Sequence, residues 1–434
     1  MTQKHDHFEQ PHAPVLDREE DLLAGSLRAG MLNQLLREQL APAQVKTESM
    51  AVGESKSSTQ AMTLLSAAVD AVDEILNAAS FDRTLLHDKL SQLFYQQKAV
   101  YEETDIEPAL RKRQYITHCG LVMSPDNCIT TQLDDLRVRA FVRAVDRAIT
   151  AMAGEKNRPV HVVYPACGPF APLLMPLLGY YVERRLFSPQ QLKVTLIDMQ
   201  PGAFATLEAL AEQMGVKGYI RQNLCIDALR YDPGELPVDV VVLEAMQHGF
   251  SREGQLSIAR HFAQLLSPEG VMLPQQIRIT AALNNPNREY IAQWQDAKWV
   301  SKEDSSPQVM AERTELGEVA CINRHTLRNC VERVLDKYTT LLEFGKVQIP
   351  PLPKDLPEQV LLMCTEIQVY EDEWVREYDS GITHPLPDQQ VCVNFTPREV
   401  RPGDLLVQSG DTLQFFYRLN GLPGFLATLV PEAS

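Results

Sequence analysis

Near the middle of the 434-residue chain two acids, Glu244 and Glu253, are set nine positions apart. The first follows the run Val238-Asp239-Val240-Val241-Val242-Leu243, which is short and β-branched in the manner of a buried parallel strand. Gly249, Ser251 and Arg252 lie between the acids, so the chain loops back there instead of extending the strand. Two carboxylates at the mouth of a sheet can clamp a cation. A guanidinium suits such a clamp, because it is planar, permanently charged and carries a fork of N–H donors that carboxylates grip in bidentate fashion. Holding its charge to one side leaves electron density on one nitrogen, which can attack an electrophile held in line. The plain alternative is a strand-end acid beside a solvated loop charge that shares no task with it.

Positioning such a pair requires a sheet whose strand ends converge, and the residues before Glu244 have that pattern. A helix is expected over 133–152, where Phe141, Val142, Val145, Ile149 and Met152 fall at core spacing. A strand and loop around Gly168 follow, and then Lys193-Val194-Thr195-Leu196-Ile197-Asp198, a buried strand that ends in an acid where a βαβ unit would put one. With a helix over 203–214 and the segment 219–229, the order is that of a doubly wound parallel sheet. Beyond Pro274, β-prone runs at 277–283, 360–369, 390–395, 404–408 and 412–419 are separated by Pro, Gly, Asn and Asp. They predict an antiparallel sandwich or barrel, with a helical insertion over 324–342.

Several separated features then agree with one family. Leu243-Glu244-Ala245-Met246, then Glu253, a helix, and Leu265-Leu266-Ser267-Pro268-Glu269-Gly270-Val271-Met272-Leu273-Pro274 resemble the double-glutamate loop and the helix-turn-strand after it in the protein arginine methyltransferases. The resemblance implies a class I methyltransferase that uses S-adenosyl-L-methionine (SAM), with a Rossmann-like cofactor domain before the loop and a β domain after it. Asp134-Asp135-Leu136-Arg137 resembles the family's acid-and-arginine helix, which makes Arg137 the partner of the cofactor's methionine carboxylate. The segment around Ala166-Cys167-Gly168-Pro169-Phe170 occupies the place of the glycine-rich loop, with Cys167 and Gly168 against the cofactor. It differs from the family in three ways: Tyr164 stands where an acid is usual, and Ala166 and Phe170 stand where glycines are. Asp198 is implied at the ribose hydroxyls, which its two acceptor oxygens can take. Asp227 is implied at the adenine amino group, and Met246 beside the cofactor. Thr383-His384-Pro385 resembles the Thr-His-Trp loop brought from the β domain, with Pro385 replacing the tryptophan and His384 a wall or proton-relay residue.

Composition narrows the remaining classes. At 44% hydrophobic residues and this length, two or three domains with ample core are expected. The net charge of −16 argues against a nucleic-acid binder. No apolar run reaches bilayer-spanning length, and the first residues lack the layout of a signal peptide, so a cytoplasmic protein without a membrane partner is expected. The eight scattered cysteines read as reduced thiols, with no metal site. The expected organisation is a polar tail, helix (22–40) and linker over 1–59, a helical N-terminal domain over 60–129, the Rossmann-like domain over 130–274 and the β domain over 275–434. Asp82 is placed to cap a helix in the second of these.

The reading that follows is N-methylation of a guanidino group on free or peptidyl arginine by a homodimer, Glu244 and Glu253 gripping the guanidinium. Methylation of an oxygen or carbon acceptor, a catalytically inactive binding partner, and an unrelated nucleotide-using α/β enzyme are the alternatives.

Overall fold

The N-terminal helices begin where their capping residues dictate. Helix α1 (Leu64–Asn77) starts from Thr63, whose hydroxyl accepts from the Ser66 amide while Ser66 accepts from the Thr63 amide. Helix α2 (Arg83–Glu103) starts from Asp82, which accepts from the Thr84 and Leu85 amides as its spacing predicts. The structure, a computed structural model, describes residues 62–155, 158–290, 309, 311–353, 359–393 and 404–431, all within one unit that spans 61–434. The tail, helix and linker expected over 1–59 lie outside the described residues. After α3 (Pro108–Lys112) comes a hairpin, β1 (Tyr115–Thr117) and β2 (Gly120–Val122), then α4 (Pro125–Cys128) and the long α5 (Asp135–Glu155). Arg83 of α2 grips Asp135 at the head of α5 with two bonds of 3.0 and 3.1 Å, which fixes one helix on the other.

The parallel sheet is the one its aliphatic runs predict. It comprises β3 (Val160–Pro165), β4 (Leu192–Asp198), β5 (Ile220–Cys225), β6 (Val238–Val242) and β7 (Leu266–Leu273), in the spatial order β5-β4-β3-β6-β7. Every neighbouring pair is parallel. The connecting helices include α6 (Met175–Arg184), α7 (Pro201–Gln213) and α8 (Gln255–Leu265). Asp239 interrupts the valines of β6, fully buried. It is held there by bonds of 2.6 and 2.8 Å from Arg158 and one of 3.0 Å from the His161 amide, so its charge is paired and not stranded. The strand order reverses between β3 and β6, the place where open α/β sheets take their ligands at the carboxyl ends.

The chain then changes character, as expected after Pro274. Strand β8 (Gln276–Asn284) is flanked by β9 (Thr314–Asn323) and β12 (Val360–Tyr370), antiparallel to both. Outside β12 lies β14 (Leu386–Val393), then β15 (Leu405–Val407), while the short β13 (Glu373–Val375) pairs with β12. A second antiparallel sheet has the order β10-β11-β16-β17: β10 (Glu332–Asp336), β11 (Thr339–Gln348), β16 (Thr412–Arg418) and β17 (Gly424–Leu429). The helical insertion expected over 324–342 is corrected here. Helix α10 covers Arg324–Asn329 alone, after the five-residue α9 (Pro286–Tyr290). The rest of that segment is the β10–β11 hairpin: Val331, Val334, Leu335 and Tyr338 are exposed on it, and among the described residues no apolar partner covers them as a helix stripe. Within the first of these sheets, Arg313 is buried between Glu289 and Glu377, with bonds of 2.5–3.0 Å. No helix among the described residues is long and apolar enough to cross a membrane.

Candidate active site

A cleft of about 620 Å³, open mouth included, lies at the carboxyl ends of the parallel strands. Ala166 follows β3, Asp198 ends β4, Asp227 follows β5, and Ala245 and Glu253 follow β6; all five line it. The β1–β2 hairpin closes another side with Thr117, Cys119 and the segment 120–123. Its seat on the acid loop requires glycine. Gly120 has φ +148°, and a Cβ there would stand 2.6 Å from the Gly254 nitrogen and 2.7 Å from the Glu253 carbonyl carbon. Next to it the Leu121 amide donates to the Arg252 carbonyl at 2.7 Å, a one-residue ladder between roof and loop.

The turn after β3 keeps a glycine-loop shape with few glycines. Gly168 has φ +65°, and Ala166 adopts φ +52°, a left-handed conformation that costs an alanine about 1 kcal/mol. The Gly168 amide donates to Asp198 Oδ2 at 2.9 Å, and the Gln200 amide donates to Oδ1 at 2.8 Å. Burial pushes the Asp198 carboxyl up from its ordinary value, and these amides, with that of Met199, pull against the rise. Each oxygen retains a second lone pair for a ligand hydroxyl. Phe170 does not face the cleft. It is buried between Phe94 and Tyr101 of α2, each ring 6.1 Å away edge to face, so this side chain anchors the N-terminal helices. Asp227 lines the cleft while its Oδ1 accepts from the Leu229 amide at 2.9 Å.

The two acids and Arg137 converge beyond β6. Arg137 Nη1 lies 3.2 Å from Glu244 Oε2, and its Nε lies 3.3 Å from Asp134 Oδ2, with all but 9% of the side chain buried. Burial alone would lower the arginine's pKa, and the two carboxylates more than offset it. Burial raises that of Glu244, opposed by Arg137 and by the Met246 amide. Glu253 is pushed up to about 8, first by burial and then by the charge of Glu244; the Gln247 side chain, Arg137 and Arg252 act in the other direction. The fold therefore brings Arg137, singled out from a separate motif, to the acid pair.

The strands of the two sheets after Pro274 shape this loop without lining the cleft. Gly249, at φ +67°, passes so close to Leu386 that a Cβ would meet its Cδ2 at 2.3 Å. Phe250, at φ +53°, sits 5.4 Å from the ring of Tyr417 and 6.4 Å from that of Phe425. The Arg252 amide donates to the Pro423 carbonyl at 2.8 Å. On the other side, Ser380 Oγ donates to Asp134 Oδ2 at 2.7 Å, and Ser380 is joined to Thr383 by bonds of 3.1–3.2 Å. The Thr383-His384 turn is thereby tied through Asp134 and Arg137 to Glu244. His384 itself packs against Tyr378, ring centroids 5.3 Å apart, and does not line the cleft.

Cys167 and Met246 are 2% and 3% exposed, and neither lines the cleft; burial pushes the pKa of the Cys167 thiol well up. In the sequence Asp134 is one of two adjacent acids and Ser380 stands in no motif, so nothing there marks the bond that joins them in the folded site. The roofing hairpin likewise has only Gly120 as a signal. Among the described residues, no three of His, Cys, Asp and Glu gather to hold a metal.

Among solved structures the chain is similar to the Trypanosoma brucei PRMT1 enzyme-prozyme heterotetrameric complex with AdoHcy, at a TM-score of 0.37 and 14% identity, over 69% of this chain and 92% of that one. No family model and no curated protein matches the chain.

Proposed function

We propose that this protein is a SAM-dependent N-methyltransferase that acts on a guanidino nitrogen of arginine, free or peptidyl. The observation that carries the reading is the meeting of Glu244, Glu253 and Arg137 at the end of β6, beside a cleft that offers Asp198 and Asp227 at the ends of β4 and β5. The residues suit the cofactor. Asp198 and Asp227 are acceptors for ribose hydroxyls and an adenine amino group, and the turn at Ala166 and Gly168 keeps the backbone close. Arg137 faces Asp134 with Nε and Glu244 with Nη1, and its fork of five N–H donors has others to offer a carboxylate. When bound, SAM supplies an electrophilic methyl group on its sulfonium.

The protein's own part is alignment and electrostatics. Glu244 and Glu253 hold the guanidinium and draw its charge to their side, which leaves density on the nitrogen that faces the methyl group. The Thr383-His384 turn closes the outer side of Arg137. A homodimer in the cytoplasm is the assembly and setting that go with this reading.

Calorimetric titration with SAM and S-adenosylhomocysteine is the first test, and micromolar binding is expected. Glu244→Gln and Glu253→Gln should then each lower methyl transfer to an arginine-rich peptide by at least about a hundredfold, a loss of the size seen when an oriented charge is removed, with SAM affinity little changed. Near-normal turnover in both variants would exclude the clamp. Failure to bind either nucleoside favours a scaffold that works through a protein partner.

A further inference from the structure

We propose that Gln255 is a positioning residue for the acid pair: its buried side-chain amide bridges the two peptide groups that flank Glu244. The strand ladder of β6 ends at Val242, so the next peptides need other partners. The Ala245 amide donates to Gln255 Oε1 at 2.7 Å, Gln255 Nε2 donates to the Leu243 carbonyl at 3.3 Å, and the Gln255 amide donates to the Ala245 carbonyl at 3.1 Å. Gln255 is 3% exposed. It is also the first residue of α8, two positions after Glu253. One side chain thus fixes the backbone of the first acid from a point almost adjacent to the second, and sets the separation between them.

The chemistry of the bridge is selective. It needs one donor and one acceptor on a stem of this length, which glutamine carries, methionine lacks, and glutamate carries only when protonated. Packing alone would accept all three shapes.

The inference rests on the methyltransferase reading, and the test separates the two. Full-length wild type, Gln255→Met and Gln255→Glu are compared by SAM titration and by methyl transfer to an arginine-rich peptide. Gln255→Met is expected to keep SAM affinity within about twofold while kcat falls on the order of a hundredfold, as misplacement of a reacting group by about an ångström does. Gln255→Glu should be as impaired at pH 8 and recover towards wild type as the pH is lowered to 6, because protonation restores the donor to Leu243. Wild-type kcat in Gln255→Met, or a loss in Gln255→Glu that stays flat with pH, overturns the positioning role alone. A wild-type protein that binds SAM and methylates no arginine overturns the proposed function and this role with it. Should Gln255→Met fail to fold, the pH profile of Gln255→Glu decides.

Discussion

The guanidinium of Arg137 stands 3.2 Å from Glu244 and 3.3 Å from Asp134, so one member of the acid pair already has a cation beside it. Glu253 has no such close partner and is pushed up to about 8. The site is therefore asymmetric: Glu244 has an arginine beside it, and Glu253, pushed up to about 8, holds its proton at neutral pH. The two titrate as a coupled pair, each disfavouring the other's charge.

Under the proposed function, this asymmetry is expected to make acceptor binding proton-coupled. A guanidinium that enters near pH 7 restores the charge of Glu253 and expels its proton. Calorimetric titration of the SAH-loaded protein with arginine in phosphate and in Tris should give enthalpies that differ in proportion to the buffers' ionisation heats; equal enthalpies would count against a protonated Glu253.

The same carboxyl leaves a mark on stability. Its ordinary value is 4.5 and its folded value about 8, so between those pH values the folded protein binds a proton that the unfolded chain has lost. This contribution is present in full below pH 4.5 and is lost as the pH rises through 8. Glu253→Gln removes the slope. In melting curves of the ligand-free protein, the variant should exceed wild type most at pH 9 and converge on it at pH 5.

Gly120→Ala tests the roof. The added methyl meets backbone atoms of 253–254 that cannot rotate away, at a φ that favours glycine, so the hairpin must lift. A stability loss of about 2 kcal/mol is expected, together with weaker SAM binding. A lowered melting temperature with unchanged affinity would show that the hairpin is bracing and not part of the cofactor's enclosure.

Phe250→Ala tests the anchorage of the acid loop. The ring is 1% exposed among Tyr417, Phe425 and their neighbours, and its loss should cost about 3–5 kcal/mol. Under the proposed function turnover should fall further than SAM affinity, since the loop that moves carries the acids and not Asp198. Equal losses in both would place the damage in the whole domain.

The parts that were legible in the sequence are those written in local pattern. Val238–Val242 and Leu192–Asp198 are aliphatic enough to be central strands whatever surrounds them, and their closing acids are fixed at strand ends by that fact. Asp82 announces its helix by capping chemistry alone. Strand β9, TELGEVACIN, was not foreseen, since two glutamates and a glycine dilute its alternation and its burial comes from β8 beside it. The segment 324–342 misled for the opposite reason: its apolar residues fall at helical spacing but are left exposed on a hairpin. The bonds of Ser380 to Asp134 and of Gln255 to Leu243 and Ala245 join residues that no local rule relates, and the first of these spans 246 positions.

The path between the acids turns through three left-handed residues, Gly249, Phe250 and Arg252, two of which carry side chains that resist that conformation. Leu386, Tyr417, Phe425 and Pro423 impose the shape from outside. A synthetic peptide of residues 244–253 would therefore relax to extended or right-handed conformers and show no selectivity for guanidinium over ammonium. The geometry of the acid pair cannot be transplanted as a loop graft: a host protein would have to receive the aromatic seat along with it.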